Sequence, residues 1–502
     1  MSTIPEILRE NVRRWPDRAA IISTRHGRDR RITFVELERA SGSFAARLRA
    51  SGIGKGASVL VFVPMSVELY VALLGIFRIG AIATFLDPSS GRAHINSCCE
   101  LLPPAALVGV WPLRLLRHFV PALARVRHVF GPPHCMGHSA EVSASCSPDD
   151  PALVTFTSGS TGRPKAAVRS HAFLVAQHVA LESSIALEPG EVDLTTLPIF
   201  VLANLASGIT SVLPSGKISN PGFVKPGPIS RQIQRLQTTR TGGSPAFYQL
   251  LAERPGTLSK FRKIYTGGAP VFPRLLQQLQ KCAPEADVVA VYGSTEAEPI
   301  AHISFREIEP ADLDAMCNGR GLLSGTPIPQ IELRIIADQW GKPVESSDPL
   351  PPEEIGEIIV TGDHVLKGYL HGQGDEETKI KMGDKVWHRT GDAGYLDGRG
   401  RLWLMGRCSA KVLDRHGLLY PFAVECVAMT IDSIRRAAFV TLAGRRLLIV
   451  EGSTRLTSDK IAELRQKISW ARLDEIRPVA RIPVDARHNS KVNYPALNKM
   501  LQ

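Results

Sequence analysis

The sequence predicts an α/β protein with a large N-terminal domain (residues 1–406) and a small α+β C-terminal domain (residues 407–502). Three observations lead there. A chain of 502 residues is too long for one hydrophobic core, so at least two domains are expected. Short apolar runs alternate with helical apolar spacing, the signature of a parallel sheet flanked by helices. After Arg407 the texture changes to a short basic block, which places the boundary at residues 406–411.

The elements follow in order. Ile4, Ile7, Leu8, Val12 and Trp15 recur at helical spacing and predict an amphipathic first helix. Residues 58–63 read as a buried strand, followed by an apolar helix from Val67 and a second buried strand at 81–86. The run 69–86 comes nearest to a membrane span, but it contains Arg78 and two glycines and meets Asp87 and Pro88. A buried helix entering a buried strand accounts for it better. Residues 113–129 read as a basic amphipathic helix, with Arg114, Arg117, His118, Arg125 and Arg127 among apolar residues. Such a helix is a solvated domain face or a membrane-surface contact. A polar connector spans 131–150, then a strand at 153–157, a glycine-rich loop and a helix from His171. Later strands are expected at 287–291, 331–337, 357–361 and 401–404.

Composition narrows the class. Apolar residues make up 44% and charged residues 22%, ordinary for a globular protein. Sixty Lys and Arg against 48 Asp and Glu give +12. No dense basic tract or basic–aromatic interleaving occurs, so a nucleic-acid partner is not expected. Eight cysteines, with Cys98 and Cys99 adjacent, do not form a disulfide framework. His134, Cys135 and His138 lack a second spaced ligand pair, so no metal is expected there. The N-terminus has no secretory apolar region, and a cytoplasmic protein with reduced thiols is expected.

The segment Thr157, Ser158, Gly159, Ser160, Thr161, Gly162, Arg163, Pro164, Lys165 gathers groups that hold phosphate. Two glycines let the backbone fold around an anion, hydroxyls add donors, and Lys165 adds charge. The spacing is not that of a Walker A loop. Five further groups follow. They are Thr266, Gly267, Gly268, Ala269 and Pro270; Tyr292, Gly293, Ser294, Thr295 and Glu296; Gly356 and Glu357 with Gly368 and Tyr369; Arg389 to Asp392; and Arg407 with Lys491. Each alone has a plain structural account: a turn for Gly267 and Gly268, a cap for Glu296, a surface turn for Asp392.

Together, and in this order, these motifs resemble the acyl-adenylate-forming (AMP-dependent synthetase/ligase) superfamily. That superfamily includes acyl-CoA synthetases, peptide-synthetase adenylation domains and firefly luciferase. The resemblance spans essentially the whole chain and implies a large N-terminal domain with a small mobile C-terminal one. It implies ATP and Mg²⁺ as cofactors and activation of a carboxylic acid as acyl-AMP. It gives the β- and γ-phosphates to the segment from Thr157 to Lys165. It gives adenine to Gly267, Gly268, Ala269 and Pro270, and further nucleotide contact to Tyr292, Gly293, Ser294 and Thr295. Glu296 would carry Mg²⁺, Asp392 the ribose hydroxyls, Arg407 the hinge, and Lys491 catalysis. These residue types suit the chemistry, because a carboxylate attacking a phosphate needs charge neutralised and reactants aligned.

Residues 197–214 and 482–491 are similar to the β-lactone synthetases of bacterial long-chain olefin biosynthesis. There the β-hydroxyl of the adenylated acid displaces AMP and closes a four-membered ring. The hinge points the same way: Ala410 stands where thioester-forming relatives usually carry aspartate, and Arg415, His416 and Gly417 replace the usual glycine-containing stretch. An acyl-CoA or acyl-carrier ligase, with CoA or a carrier arm as thiol, stays open, as does a non-catalytic nucleotide-binding relative. The expected substrate is a fatty or β-hydroxy acid. Phe200, Asn204, Gly242, Gly243, Ser244, Ala246 and Phe247 are candidate acyl-pocket walls or core residues. A weak membrane-surface contact and a pathway-enzyme complex remain open as partners.

Overall fold

The computed structural model describes residues 2–25, 27–134, 145–158, 164–216, 224–452, 456–485 and 491–502. It is mixed α/β with a large sheet-rich part and a smaller C-terminal part, as the sequence predicts. Contacts divide the chain into two compact units. One comprises Met1–Ser219, Gly227–Gly242 and Asp363–Glu376; the other comprises Asn220–Pro226, Gly243–Gly362 and Glu377–Gln502.

In the first unit, six strands run in the order His128–Phe130, Ala106–Gly109, Ser58–Phe62, Ile82–Phe85, Pro151–Ser158 and Pro164–Ser170. All pairings are parallel except the last, which is antiparallel. Ser66 caps the helix Val67–Arg78 by accepting from Leu69 N, and every residue of that helix except Glu68 is buried. It packs on the helix Phe34–Ala50 so closely that a Cβ at Gly75 would lie 2.9 Å from Phe44 Cδ1. The buried Arg78 is paired with Glu38 at 2.5 Å. The near-membrane run is thus a core helix feeding a core strand. Among the described residues no helix is long and apolar enough to cross a membrane.

A second sheet in this unit carries Val192–Thr195 between Thr210–Leu213 and Arg240–Gly243, all parallel. Ala19–Arg25 and its antiparallel neighbour Arg28–Thr33 extend it beside Thr210–Leu213. The first helix is Ile4–Arg14, with a capping box from Thr3 and Glu6.

Residues 113–129 do not form the continuous amphipathic helix expected. Two short turns, Trp111–Arg114 and Leu115–His118, are followed by a separate turn Pro121–Ala124. The cause is Pro121, which pushes Val120 into extended backbone at φ −122°, ψ 111°.

In the second unit, Lys263–Gly267 and Asp287–Ser294 are parallel. An antiparallel series then runs through Ala297–Ser304, Leu322–Pro327, Leu402–Arg407, Lys385–Leu396, Gly356–Thr361 and Glu332–Ile336. Beyond Arg407 come the hairpin Val412–Asp414 and Gly417–Leu419 and a three-stranded sheet. That sheet buries Val424, Val427, Leu448, Val450 and Leu464 on one face. Its other face covers Ala438, Ile449, Ile482 and Leu497.

Candidate active site

The two arms of the phosphate-binding segment are adjacent strands. Thr157 pairs with Lys165 and Ser158 with Pro164, which brings the segment's ends together. Gly159, Ser160, Thr161, Gly162 and Arg163 lie outside the described residues. Lys165 is only 6% exposed, because Tyr369 and Gly374 cover it. Its Nζ stands 5.8 Å from the Tyr369 ring centroid, and Ala167 bridges Tyr369. Gly374 sits at φ +94°, and a Cβ there would come within 2.4 Å of Lys165 Cε. The left-handed backbone at this position favours glycine. Gly374 escaped the sequence reading, since nothing local marks it as a neighbour of residue 165.

The candidate acyl walls divide between the two units. In the first, Phe200 fills the space over Gly242, where a Cβ would lie 2.5 Å from Phe200 Cδ2. Asn204 is fully buried and donates to Asp193 Oδ2 (2.7 Å) and Ser211 Oγ (3.1 Å). Asp193 is in turn beside the buried Arg240 at 3.8 Å. Burial raises the Asp193 carboxyl above its ordinary value, with Arg240 opposing. Phe200 and Asn204 therefore serve the core of this unit. The outer side of the same helix, Pro198–Ala206, behaves differently. With helices Ile4–Arg14 and His171–Ser184 it lines a small apolar pocket, partly open to solvent, whose walls include Ile7, Leu8, Leu174 and Leu202. In the second unit, Phe247 is fully buried against Tyr248 and also belongs to the core.

The second unit brings most of the other sequence-predicted residues together. Gly267 ends its strand opposite Val291, and a Cβ there would lie 2.6 Å from Val291 O. Gly268 follows at φ +78°, then Ala269 and Pro270. Tyr292, Gly293 and Ser294 end the neighbouring strand, and Thr295 and Glu296 form the turn of the hairpin into Ala297–Ser304. Thr266 Oγ1 and Ser294 Oγ are buried hydroxyls that meet no protein partner among the described residues. Such orphaned groups beside a glycine turn fit a polar ligand.

Asp392 is the hub. Tyr292 donates its hydroxyl to Asp392 Oδ2 at 2.8 Å. Arg407, directly across the strand pair, places Nη1 3.2 Å from Asp392 Oδ1 and also donates to Thr390 O at 2.9 Å. Burial, then the Asp392 charge, pushes the Tyr292 hydroxyl well above its ordinary value. Asp392 is the largest influence raising Arg407. Lys491 pairs with Asp485 through its backbone: its N donates to Asp485 Oδ1 (2.8 Å), and Asp485 N donates to Lys491 O (2.9 Å), while residues 486–490 lie outside the described residues. Although the residue is exposed, protein around its ammonium group lowers its pKa, as does nearby Arg407, while Asp392, Asp485 and Glu296 oppose. Lys491, Arg407, Asp392 and Glu296 thus share one electrostatic neighbourhood.

One more residue joins it unannounced. His388 is buried four residues before Asp392, with Nδ1 3.2 Å from Thr378 O and 3.2 Å from Lys379 Nζ. Burial, with Lys379 beside it, lowers its pKa to about 3, so it is neutral, and Glu296 opposes that shift. Arg389, between them in sequence, points elsewhere. It pairs with Glu357 through two bonds of 2.9 and 2.7 Å, both side chains buried. Among the described residues no group of histidine, cysteine and carboxylate side chains is arranged to hold a metal. His134 is described, whereas Cys135 and His138 lie outside the described residues.

A family model described as AMP-binding enzyme matches residues 8–370. An olefin β-lactone synthetase of Stenotrophomonas maltophilia is 31% identical, covering 98% of this chain and 96% of its own length. One from Xanthomonas campestris is also 31% identical, over 93% and 90%. An indoleacetate–CoA ligase of Aromatoleum aromaticum is 28% identical, over 79% and 78%. The fold is shared with ATP-bound MatB from Rhodopseudomonas palustris (TM-score 0.82, 20% identity, 99% of each chain). It is shared equally with the amide bond synthetase McbA from Marinactinospora thermotolerans (TM-score 0.82, 22% identity, 99% and 100%). The chain is an enzyme, and it belongs to the AMP-binding enzyme family, with olefin β-lactone synthetases and CoA ligases among its relatives.

Proposed function

We propose that this enzyme uses ATP to convert a β-hydroxy fatty acid to its acyl-AMP and then closes that intermediate to a β-lactone. The observation that carries the first half is the convergence of Lys491, Arg407, Asp392 and Glu296 in one compact unit. The ribose hydroxyls would donate to Asp392, whose carboxylate Tyr292 and Arg407 hold in place. Adenine would lie at Gly267, Gly268, Ala269 and Pro270, with Gly293, Ser294 and Thr295 beside it. The segment Thr157, Ser158, Gly159, Ser160, Thr161, Gly162 and Lys165 would hold the pyrophosphate end. Glu296 would hold Mg²⁺, which when bound neutralises phosphate charge; a carboxylate is the hard oxygen donor that ion takes.

Lys491 would pair with both the acid's carboxylate and the α-phosphate, offsetting their repulsion and setting them in line. A carboxylate oxygen then bonds to the α-phosphorus as the bond to the bridging oxygen breaks, and pyrophosphate leaves with that electron pair. In the second half the substrate's own β-hydroxyl oxygen attacks the acyl carbon. Its proton passes to water, the acyl–oxygen bond to AMP breaks, and AMP leaves. The two olefin β-lactone synthetase relatives support this half, as does Ala410 at the hinge. We propose residues 1–406 and 407–502 as the two domains, with Arg407 at the hinge.

Transfer of the acyl group to CoA is the second reading, favoured by the CoA-ligase relatives. One experiment separates them. Purified enzyme, ATP and Mg²⁺ are incubated with plain and β-hydroxy acids, with and without CoA, and products are read by mass spectrometry. Thiol-independent loss of water from the β-hydroxy acid is the expected result. A thioester from a plain acid, with no lactone, would overturn the lactone reading.

A further inference from the structure

The stretch from Trp111 to Arg127 presents two apolar faces, and only one is used for folding. Leu113, Leu116, Val120 and Leu123 turn inward to the core around Ile95 and Leu107. Trp111, Leu115 and Phe119, spaced four residues apart, turn outward with 66%, 38% and 57% exposure. The inner face already anchors these turns, so the outer three are not overflow from the core. Exposed apolar clusters with a polar rim mark interaction sites.

Arginines accompany these residues along the chain and on the neighbouring helix Arg92–Leu101. Arg92 places its guanidinium 5.0 Å from the Phe119 ring centroid, Arg125 and Arg127 are exposed, and Arg117 is half-buried. No Asp or Glu occurs between residues 101 and 140. Among the described residues none of these four arginines has a carboxylate partner. We propose that this surface docks on an anionic lipid bilayer. Trp111, Leu115 and Phe119 enter the interfacial layer, where amphipathic aromatics reside, and the arginines meet headgroup phosphates. A protein partner would need an acidic face of matching relief. A bilayer needs only apolar tips and uncompensated cations, which is what the patch offers.

The test is cosedimentation of the full-length protein with sucrose-loaded vesicles. One set is phosphatidylcholine alone; the other holds equal phosphatidylcholine and phosphatidylglycerol. Binding is expected to the anionic vesicles and to weaken with salt. Each arginine is worth roughly fivefold in partitioning at low salt, so Arg125→Gln with Arg127→Gln should weaken binding roughly twenty-five-fold there. Trp111→Ser with Phe119→Ser should weaken it at both low and high salt. Unchanged ATP–pyrophosphate exchange with a short, water-soluble acid reports that the variants are folded. Failure to bind anionic vesicles, or variants that bind like the native chain, would overturn the proposal. So would loss of self-association in the Trp111→Ser, Phe119→Ser variant with vesicle binding intact, which would assign the patch to a second copy.

Discussion

Tyr292 donates its hydroxyl to Asp392 Oδ2 at 2.8 Å, while Arg407 stands 3.2 Å from the other carboxylate oxygen. Both oxygens of Asp392 are therefore fixed, one by a neutral donor and one by a charge. A carboxylate so held can receive ribose hydroxyls without first paying the entropy of orientation. Tyr292→Phe removes one restraint and leaves the ring in place. A hydrogen bond to a charged group is worth about 1.5–3 kcal/mol, so KM for ATP should rise roughly tenfold or more with the fold unchanged. Steady-state ATP–pyrophosphate exchange measures it; an unaltered KM would mean Asp392 does not carry the ribose.

Lys491 should be required for chemistry and dispensable for folding, being an exposed residue. Lys491→Ala is expected to unfold like the native chain in urea and to lose acid-dependent ATP–pyrophosphate exchange. Its environment lowers its pKa, so the ammonium loses its proton at a lower pH than free lysine does. Exchange should accordingly fall as pH rises through a midpoint below about 10.4. Lys491→Arg, which stays charged, should remove that limb from whatever activity it retains. Near-normal exchange in Lys491→Ala would remove this lysine from the mechanism.

Arg389 and Glu357 are buried together, 2% and 0% exposed, and share two hydrogen bonds. Losing one partner strands the other charge away from water. Arg389→Met alone should cost about 3–5 kcal/mol in urea unfolding. Adding Glu357→Leu should recover most of that, since an apolar pair of similar size has no charge to strand. Equal stability of the single and double variants would show that the ion pair is not what holds these strands together.

Much of this was legible in the sequence because it is local. Helix Val67–Arg78 and strands such as Ser58–Phe62 are set by apolar runs and caps within a few residues. Tyr292, Asp392, Arg407 and Lys491 were legible as motif members, yet their mutual contacts join segments far apart in sequence. No local signal marks Gly374 as the neighbour of Lys165, or His388 as a buried group facing the charge of Glu296. At residues 113–129 helical spacing points to one helix, which Pro121 interrupts. Phe200 and Asn204 are ambiguous in the sequence because one helix buries different chemistry on each side.

Glu425 illustrates a titration that only the fold can create. It sits fully enclosed on helix Pro421–Ala428, and its Oε1 accepts from Phe439 N (2.9 Å) and the Tyr494 hydroxyl (2.8 Å). Burial raises its pKa to about 7, even though both hydrogen bonds favour the ionised form. Below about pH 4.3 the carboxyl is protonated whether the chain is folded or not. Between there and about 7 the unfolded chain releases its proton while the folded chain keeps it. The folded state binds more protons in that window, so stability falls as pH rises through it and levels off above. The loss is on the order of a few kcal/mol. Glutamine stays neutral and its Oε1 still accepts from Phe439 and Tyr494. Glu425→Gln should thus match the native chain near pH 4 and exceed it in stability at pH 8. Urea midpoints of both proteins across this range provide the measurement. Curves that run parallel at every pH would show that the Glu425 carboxyl is not held protonated by burial.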